Sequence, residues 1–259
     1  MKNLRNNSKL LILLLFIFVI QTNTYATWSI IAVDRTTREI GIASASCTWD
    51  VRGVGICVPG KGVVVVQAKS NSEPRKLGIE MLSNGSSPEE IIEAMRSEKF
   101  NPEEQQYAVI SLEEHTTPAF YHGKNIWKWN GHKTSNDFIV IGNTLPDENV
   151  VLAAFEAFNT AEKQPLAFRL MRALKAGAEA GGDKRCGMQR ARSAYITVAK
   201  PKDNEAIPYL DLSVIGMNPG ETSAVELLSN LFENWKKNYK EMKNRSTKIS
   251  IVPKWYKKQ

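Results

Sequence analysis

Four consecutive valines at residues 63–66 lie inside the run GVVVVQA, Gly62–Ala68. A strand points alternate side chains to opposite faces, so this run is apolar on both. Only a central strand covered on either side buries all four valines. The chain must therefore build at least one sheet with another layer packed on each face. Preceding runs supply further strands. WSIIAVD at residues 28–34 and EIGIASAS at Glu39–Ser46 flank the polar turn RTTR, which predicts a β-hairpin. GVGICV at residues 53–58 is separated from the valine run by Pro59-Gly60, a strong turn signal. Together these predict three or four neighbouring strands.

Two helices should follow, over residues 74–82 and from Ser87 onward. Ser87 can cap the second, Pro88 opens its first turn, and Ile91, Ile92 and Met95 mark its buried stripe. Residues 107–112 and 117–123 read as another hairpin, and residues 137–143 as a buried strand. Helices return at 148–158 and 165–180, where Leu166, Leu170, Leu174 and Ala178 recur at four-residue spacing. Strands at 193–200 and 208–214 precede a last helix over 222–239. With no repeat and no composition break, one domain of class α+β is expected: two mainly antiparallel sheets covered by helices in a layered sandwich.

The first residues stand apart from that domain. Lys2, Arg5 and Lys9 form a basic start, residues 10–20 an apolar run, and QTNTYA at 21–26 a polar approach to a small residue. This is the pattern of a cleaved export signal. The apolar run is shorter than the ~20 residues a spanning helix needs, so a membrane anchor is not expected. No Cys precedes the cut, so nothing points to a lipid anchor. The expected division is a signal peptide 1–26, one domain 27–243 and a basic tail 244–259. The expected location is periplasmic or secreted.

The chain's net charge of +7 comes from 34 Lys and Arg against 27 Asp and Glu. Three of those cations lie in residues 1–26 and five in residues 244–259, with no acid in either segment, so residues 27–243 sum to −1. A near-neutral body excludes nucleic acid as the expected partner, because phosphate binding needs clustered positive charge on the folded surface. The tail reads as solvated and unstructured. Of Cys47, Cys57 and Cys186, two can form a disulfide and one thiol stays free; Cys47 can pair with Cys57, or either with Cys186. Their spacing fits no zinc pattern.

If the chain is cut after Ala26, the new N-terminus is Thr27. A threonine hydroxyl needs a base to become a nucleophile. A free α-amine, with a pKa of about 7.7–8.0, supplies one on the same residue. Any exported protein has some residue after its cut, so position alone carries little. The residues after Thr27 carry more weight: a strand begins at once, and a strand in a sheet holds the terminus rigidly, as a catalytic amine requires.

TWSIIAVDRTTREIGIASAS at residues 27–46 is similar to the opening of the uncharacterised bacterial Ntn-hydrolase-like proteins called domain of unknown function 1028. GKGVVVVQAKSN (60–71), DFIVIGN (137–143), AGGDKRCGMQRARSAYITV (180–198) and YLDLSV (209–214) match in order, so the resemblance covers nearly all of residues 27–237. It implies a four-layer αββα sandwich with Thr27 as nucleophile, and it places Ser46, Gln67, Asn71, Asn143, Asp183 and Arg185 at recurrent polar positions. Asn143, Gln67 and Asn71 carry amides able to donate to an oxyanion, Asp183 can orient the amine, and Arg185 with Lys184 can hold a substrate carboxylate. Lys69 departs from the pattern and reads as a rim lysine. Asp34 reads as a turn former, and His115, His122 and His132 as surface or loop residues. The expected function is an exported amidohydrolase acting on a small-molecule or peptide amide, with no cofactor and no metal, and with a homo-oligomer possible. The alternative is a non-catalytic envelope or ligand-binding protein on the same fold.

Overall fold

The computed structural model describes residues 26–242 and 245–253. Residues 1–25, which carry the signal reading, residue 243, and residues 244 and 254–259 of the tail lie outside the described residues.

The predicted first hairpin forms as β1 (Thr27–Asp34) and β2 (Glu39–Ser46), joined through a turn in which Asp34 accepts the amide hydrogens of Thr36 and Thr37. The next pair is β3 (Gly55–Val58) and β4 (Gly62–Ala68). These four strands are not neighbours in one sheet, as the sequence suggested. β1 and β2 lie in a seven-stranded sheet, and β3 and β4 belong to a four-stranded sheet. The valine run is central in the smaller sheet, between β3 and β5 (Gln105–Ser111), with β6 (Ala119–His122) at the edge.

The larger sheet is completed by β7 (Trp129–Thr134), β8 (Phe138–Leu145), β9 (Ser193–Ala199), β10 (Leu210–Val214) and β11 (Thr247–Ile251), in the order β11-β10-β9-β2-β1-β8-β7. All pairings are antiparallel except β10 with β11. β11 corrects the expectation of an unstructured tail: its backbone pairs alongside β10, and Ser213 and Ser250 hydroxyls lie 2.7 Å apart. β7 was not foreseen either, because WNGHKT carries little apolar pattern.

Among the described residues, six α-helices accompany the sheets. α1 (Ser72–Ser83) and α2 (Pro88–Met95) follow β4, and α2 starts on a capping box in which Ser87 and Glu90 satisfy each other's backbone amides. α3 (Asn149–Asn159) and α4 (Leu166–Glu179) follow β8, with Leu166, Leu170, Leu174 and Ala178 all buried as the spacing predicted. α5 (Ala224–Lys237) and the single turn α6 (Tyr239–Met242) come last. Among the described residues no helix is long and apolar enough to cross a membrane.

Three apolar clusters hold these elements. Trp28, Ile30 and Ala32 of β1 pack with Leu170 and Leu174 of α4 and Leu228 of α5. On the opposite face, Ile31 and Val33 of β1 and Ile40 and Ile42 of β2 meet Val63, Val65 and Ile110 of the smaller sheet. Val64 and Val66, on the outer face of that sheet, pack with Leu82, Ile91 and Met95 of α1 and α2. The valine run thus divides its side chains between two clusters, as its pattern required. Trp28 fixes the start of β1. Its indole lies so close to Gly177 of α4 that a methyl there would come within 2.7 Å of the indole nitrogen.

Candidate functional site

Thr27, Ser29, Ile31 and Val33 share the face of β1 that looks toward the smaller sheet. Most of the space between the sheets is apolar, yet the end at Thr27 is not. Thr27 lies directly opposite Ser46 on β2 and directly opposite Asn143 on β8, giving a row of three polar residues across the sheet. All three are buried, Thr27 being 2% exposed. In the next row, the hydroxyls of Ser29 and Ser44 lie 2.7 Å apart.

The smaller sheet answers with two buried glutamines, Gln67 on β4 and Gln106 on β5, which are register partners. Ser29 donates to Gln67 Oε1 at 2.6 Å, and Gln67 Nε2 donates to Gln106 Oε1 at 2.6 Å. Gln106 Nε2 donates back across the gap to the Gly142 carbonyl at 2.8 Å, beside Asn143. A carbonyl can only accept, so this bond fixes which way the Gln106 amide faces. Gln106 Nε2 is also 2.7 Å from His122 Nδ1, which must then accept, leaving Nε2–H of His122 to donate to His132 Nδ1 at 2.9 Å. A continuous hydrogen-bonded chain therefore runs from Ser44 to His132. Its two histidines join β6 to β7, the neighbouring edges of the two sheets. Burial, and after it His132, pulls the His122 pKa down to about 4. Burial and then Lys133 lower that of His132. The expectation that both were surface or loop residues without telling partners is corrected here.

The loop after α4 brings the third group. Asp183 is 0% exposed and accepts from the Cys47 amide at 2.9 Å, from the Arg185 amide at 3.1 Å and from the Arg185 guanidinium, Nε at 2.9 Å. Arg185 Nη2 closes the same ion pair and also donates to the Ala26 carbonyl at 3.1 Å. Ser46 Oγ donates to that same carbonyl oxygen at 2.6 Å and accepts the Thr48 amide hydrogen. Cys47 and Cys186 form a disulfide that ties this loop to the end of β2, which settles the pairing left open by the sequence. Cys57 is the free thiol; burial, and after it Asp211, pushes its pKa up, which disfavours the thiolate.

Of the residues singled out from sequence, Thr27, Ser46, Asn143, Asp183 and Arg185 come together, and Gln67 stands one row away. Asp183 holds Arg185 and the loop, not the backbone nitrogen of Thr27. Asn71 is not brought to the site: its side chain accepts from the Glu73 amide as the N-cap of α1. Lys69 is exposed and paired with Glu104, as expected of a rim lysine. Sequence reasoning missed Ser29, Ser44, Gln106, His122 and His132. The two serines were readable, since they alternate with Thr27 and Ser46 on strands that are otherwise apolar. Among the described residues, no group of three or more His, Cys, Asp or Glu is placed to hold a metal ion.

Two backbone outliers flank the site. Ala68, after Gln67, has φ 69°, and Thr144, after Asn143, has φ 56°. For a β-branched residue this region is strained, at about 1–3 kcal/mol. A cavity of about 390 Å³ lined by Cys57, Tyr195, Asp211 and Lys248 does not reach Thr27.

A family model for a family of unknown function, DUF1028, matches residues 27–219. The chain belongs to that family. The match begins at Thr27 and takes in every site residue named above. A solved structure, protein SPO2555 from Silicibacter pomeroyi, itself described by the DUF1028 model, is similar to this DUF1028 chain at 26% identity. That match has a TM-score of 0.67 and covers 82% of this chain and 89% of the other. No curated protein matches.

Proposed function

We propose that this DUF1028 protein is an exported amidohydrolase of the Ntn-hydrolase-like class, a four-layer αββα sandwich whose nucleophile is Thr27 once residues 1–26 are removed. The observation that carries this reading is the buried polar row Ser46–Thr27–Asn143 at one end of an otherwise apolar space between sheets. Burying such groups is costly, and the core alone gives no reason for them. The start of the family match at Thr27 supports the same boundary, and the Cys47–Cys186 disulfide fits an oxidising compartment. Apolar clusters on both faces of each sheet support the layered arrangement.

In this reaction the α-amine of Thr27 takes the proton from its own Oγ, and Oγ attacks the substrate's amide carbonyl. The Asn143 amide, one strand away, donates to the developing oxyanion. The protonated amine passes its proton to the leaving nitrogen as the C–N bond breaks, leaving an ester on Oγ. Water, activated by the same amine, then releases the acid. N-terminal sequencing of the exported protein tests the first condition, since a mature chain starting elsewhere removes the base. Labelling by an electrophilic β-lactone tests the second: it is expected in the processed protein and lost in Thr27→Ala. Equal labelling of both would rule out a threonine nucleophile.

A further inference from the structure

Ala26 is as buried as the residues that come after it. Its carbonyl oxygen accepts from Ser46 Oγ at 2.6 Å and from Arg185 Nη2 at 3.1 Å. Neither donor is there by chance of a flexible chain. Ser46 Oγ is oriented by the Thr48 amide, and Arg185 is clamped by buried Asp183 on a loop that the disulfide fastens. The Ala26 methyl lies in the apolar cluster that also contains Trp28 and Ala191. The site thus has two parts, a pair of donors for an acyl oxygen and a closed apolar space for a methyl-sized group.

We infer that this is the acyl subsite of the processed protein, selecting acyl groups or carboxylates borne on an alanine-sized carbon, and that Ala26 fills it until residues 1–26 leave. The inference rests on the reading of Thr27 as nucleophile. The nitrogen and Oγ of Thr27 sit on adjacent carbons, so an acyl carbon bonded to one lies a small ring closure from the other. Groups that grip the Ala26 carbonyl can therefore grip an acyl group carried on Oγ. A cationic guanidinium also favours the carboxylate released as product, and its fork suits two oxygens. Chains ending in alanine would then be products or close mimics of them.

The test is calorimetric binding of N-acetylalanine and N-acetylleucine to the processed protein starting at Thr27. The alanine acid is expected to bind at least about tenfold more tightly, since a closed space resists extra methylenes. Arg185→Lys, which keeps the charge but loses the fork, should weaken it by about tenfold or more, and Ser46→Ala to a lesser degree. Absence of binding, or equal binding of the two acids, overturns the subsite. The β-lactone probe separates the two ideas. Labelling of Thr27 without size preference defeats the subsite and leaves the nucleophile standing. Size-selective binding with no labelling defeats the nucleophile and leaves a carboxylate-binding site.

Discussion

The carboxylate of Asp183 grips the guanidinium of Arg185, and through that pair the loop after α4 reaches the residue preceding β1. Asp183 is fully buried while Arg185 is 27% exposed, so loss of the acid strands a largely covered cation and leaves the Cys47 amide unpaired. Removing one partner of a buried pair typically costs about 3–5 kcal/mol. Discounted for the exposed side of Arg185, Asp183→Ala should lower unfolding stability by about 2 kcal/mol, read from urea denaturation. Asp183→Asn, which still accepts from one amide, should lose less. A variant as stable as the parent would show that the pair contributes nothing to the loop.

Trp28 and Gly177 set the position of Thr27 from the other face of the sheet. A methyl at Gly177 meets the indole nitrogen at 2.7 Å and its neighbouring carbon at 3.0 Å, both in a packed core. Overpacking of this kind costs about 1–3 kcal/mol. Gly177→Ala should therefore lower the urea midpoint clearly. Gly53→Ala, where an added methyl meets nothing within 4 Å, should change the unfolding free energy by less than about 0.5 kcal/mol.

The His122–His132 junction gives the fold an acid limit. His122 Nδ1 accepts from Gln106, so a proton there would set one N–H against another and break the chain from β5 to β7. Its pKa is held down, at about 4, against an ordinary value near 6.5. A depressed histidine leaves the unfolded chain binding more protons between those values. Stability is then constant above about pH 6.5 and falls as pH drops toward about 4. Because the ring is only partly buried, about 1 kcal/mol is expected from it between pH 7 and 5. In His122→Gln, urea midpoints at about pH 7 and about pH 5 should differ less than in the parent. An unchanged difference would assign the acid sensitivity to other groups.

How far the sequence spoke depended on whether a residue's partner was local. The valine run, the leucines of α4 and the Ser87 cap are patterns within one element, and each formed where its period placed it. Which sheet a hairpin joins is decided by long-range pairing, so β1–β2 and β3–β4 were separable only in three dimensions. β7 and β11 are edge strands with one face toward solvent, and their polar sequences carry too little alternation to be seen. At the site, Thr27 stood out as the residue after the expected cut, and Ser46 and Asn143 were marked by the family resemblance; the register that sets all three in one row is long-range. His122 and His132 were not, because they meet only where the edges of two sheets come together. Asn71 misled: Asn two residues before Glu73 is equally the signature of a helix cap, and the cap is what it forms.

The proposed chemistry places one base and one nucleophile on a single residue, and that makes a distinctive pH prediction. With an α-amine of ordinary pKa, about 7.7–8.0, single-turnover acylation of the processed protein by a small acyl ester should rise with pH and level off above about pH 8. Thr27→Ser keeps both groups and should retain the profile, with a modest loss in rate. Leaving one extra residue ahead of Thr27 turns the amine into an amide, and acylation should fall by about 10²–10⁴-fold with the hydroxyl still present, the usual range for loss of a general base. Asn143→Ala should cost about 10²–10³-fold with the pH profile unmoved, because it removes an oxyanion donor and leaves the base intact. An Asn143→Ala protein that acylates at the parent rate would remove Asn143 from the site, and a profile flat from about pH 6 to about pH 9 would remove the amine as the base.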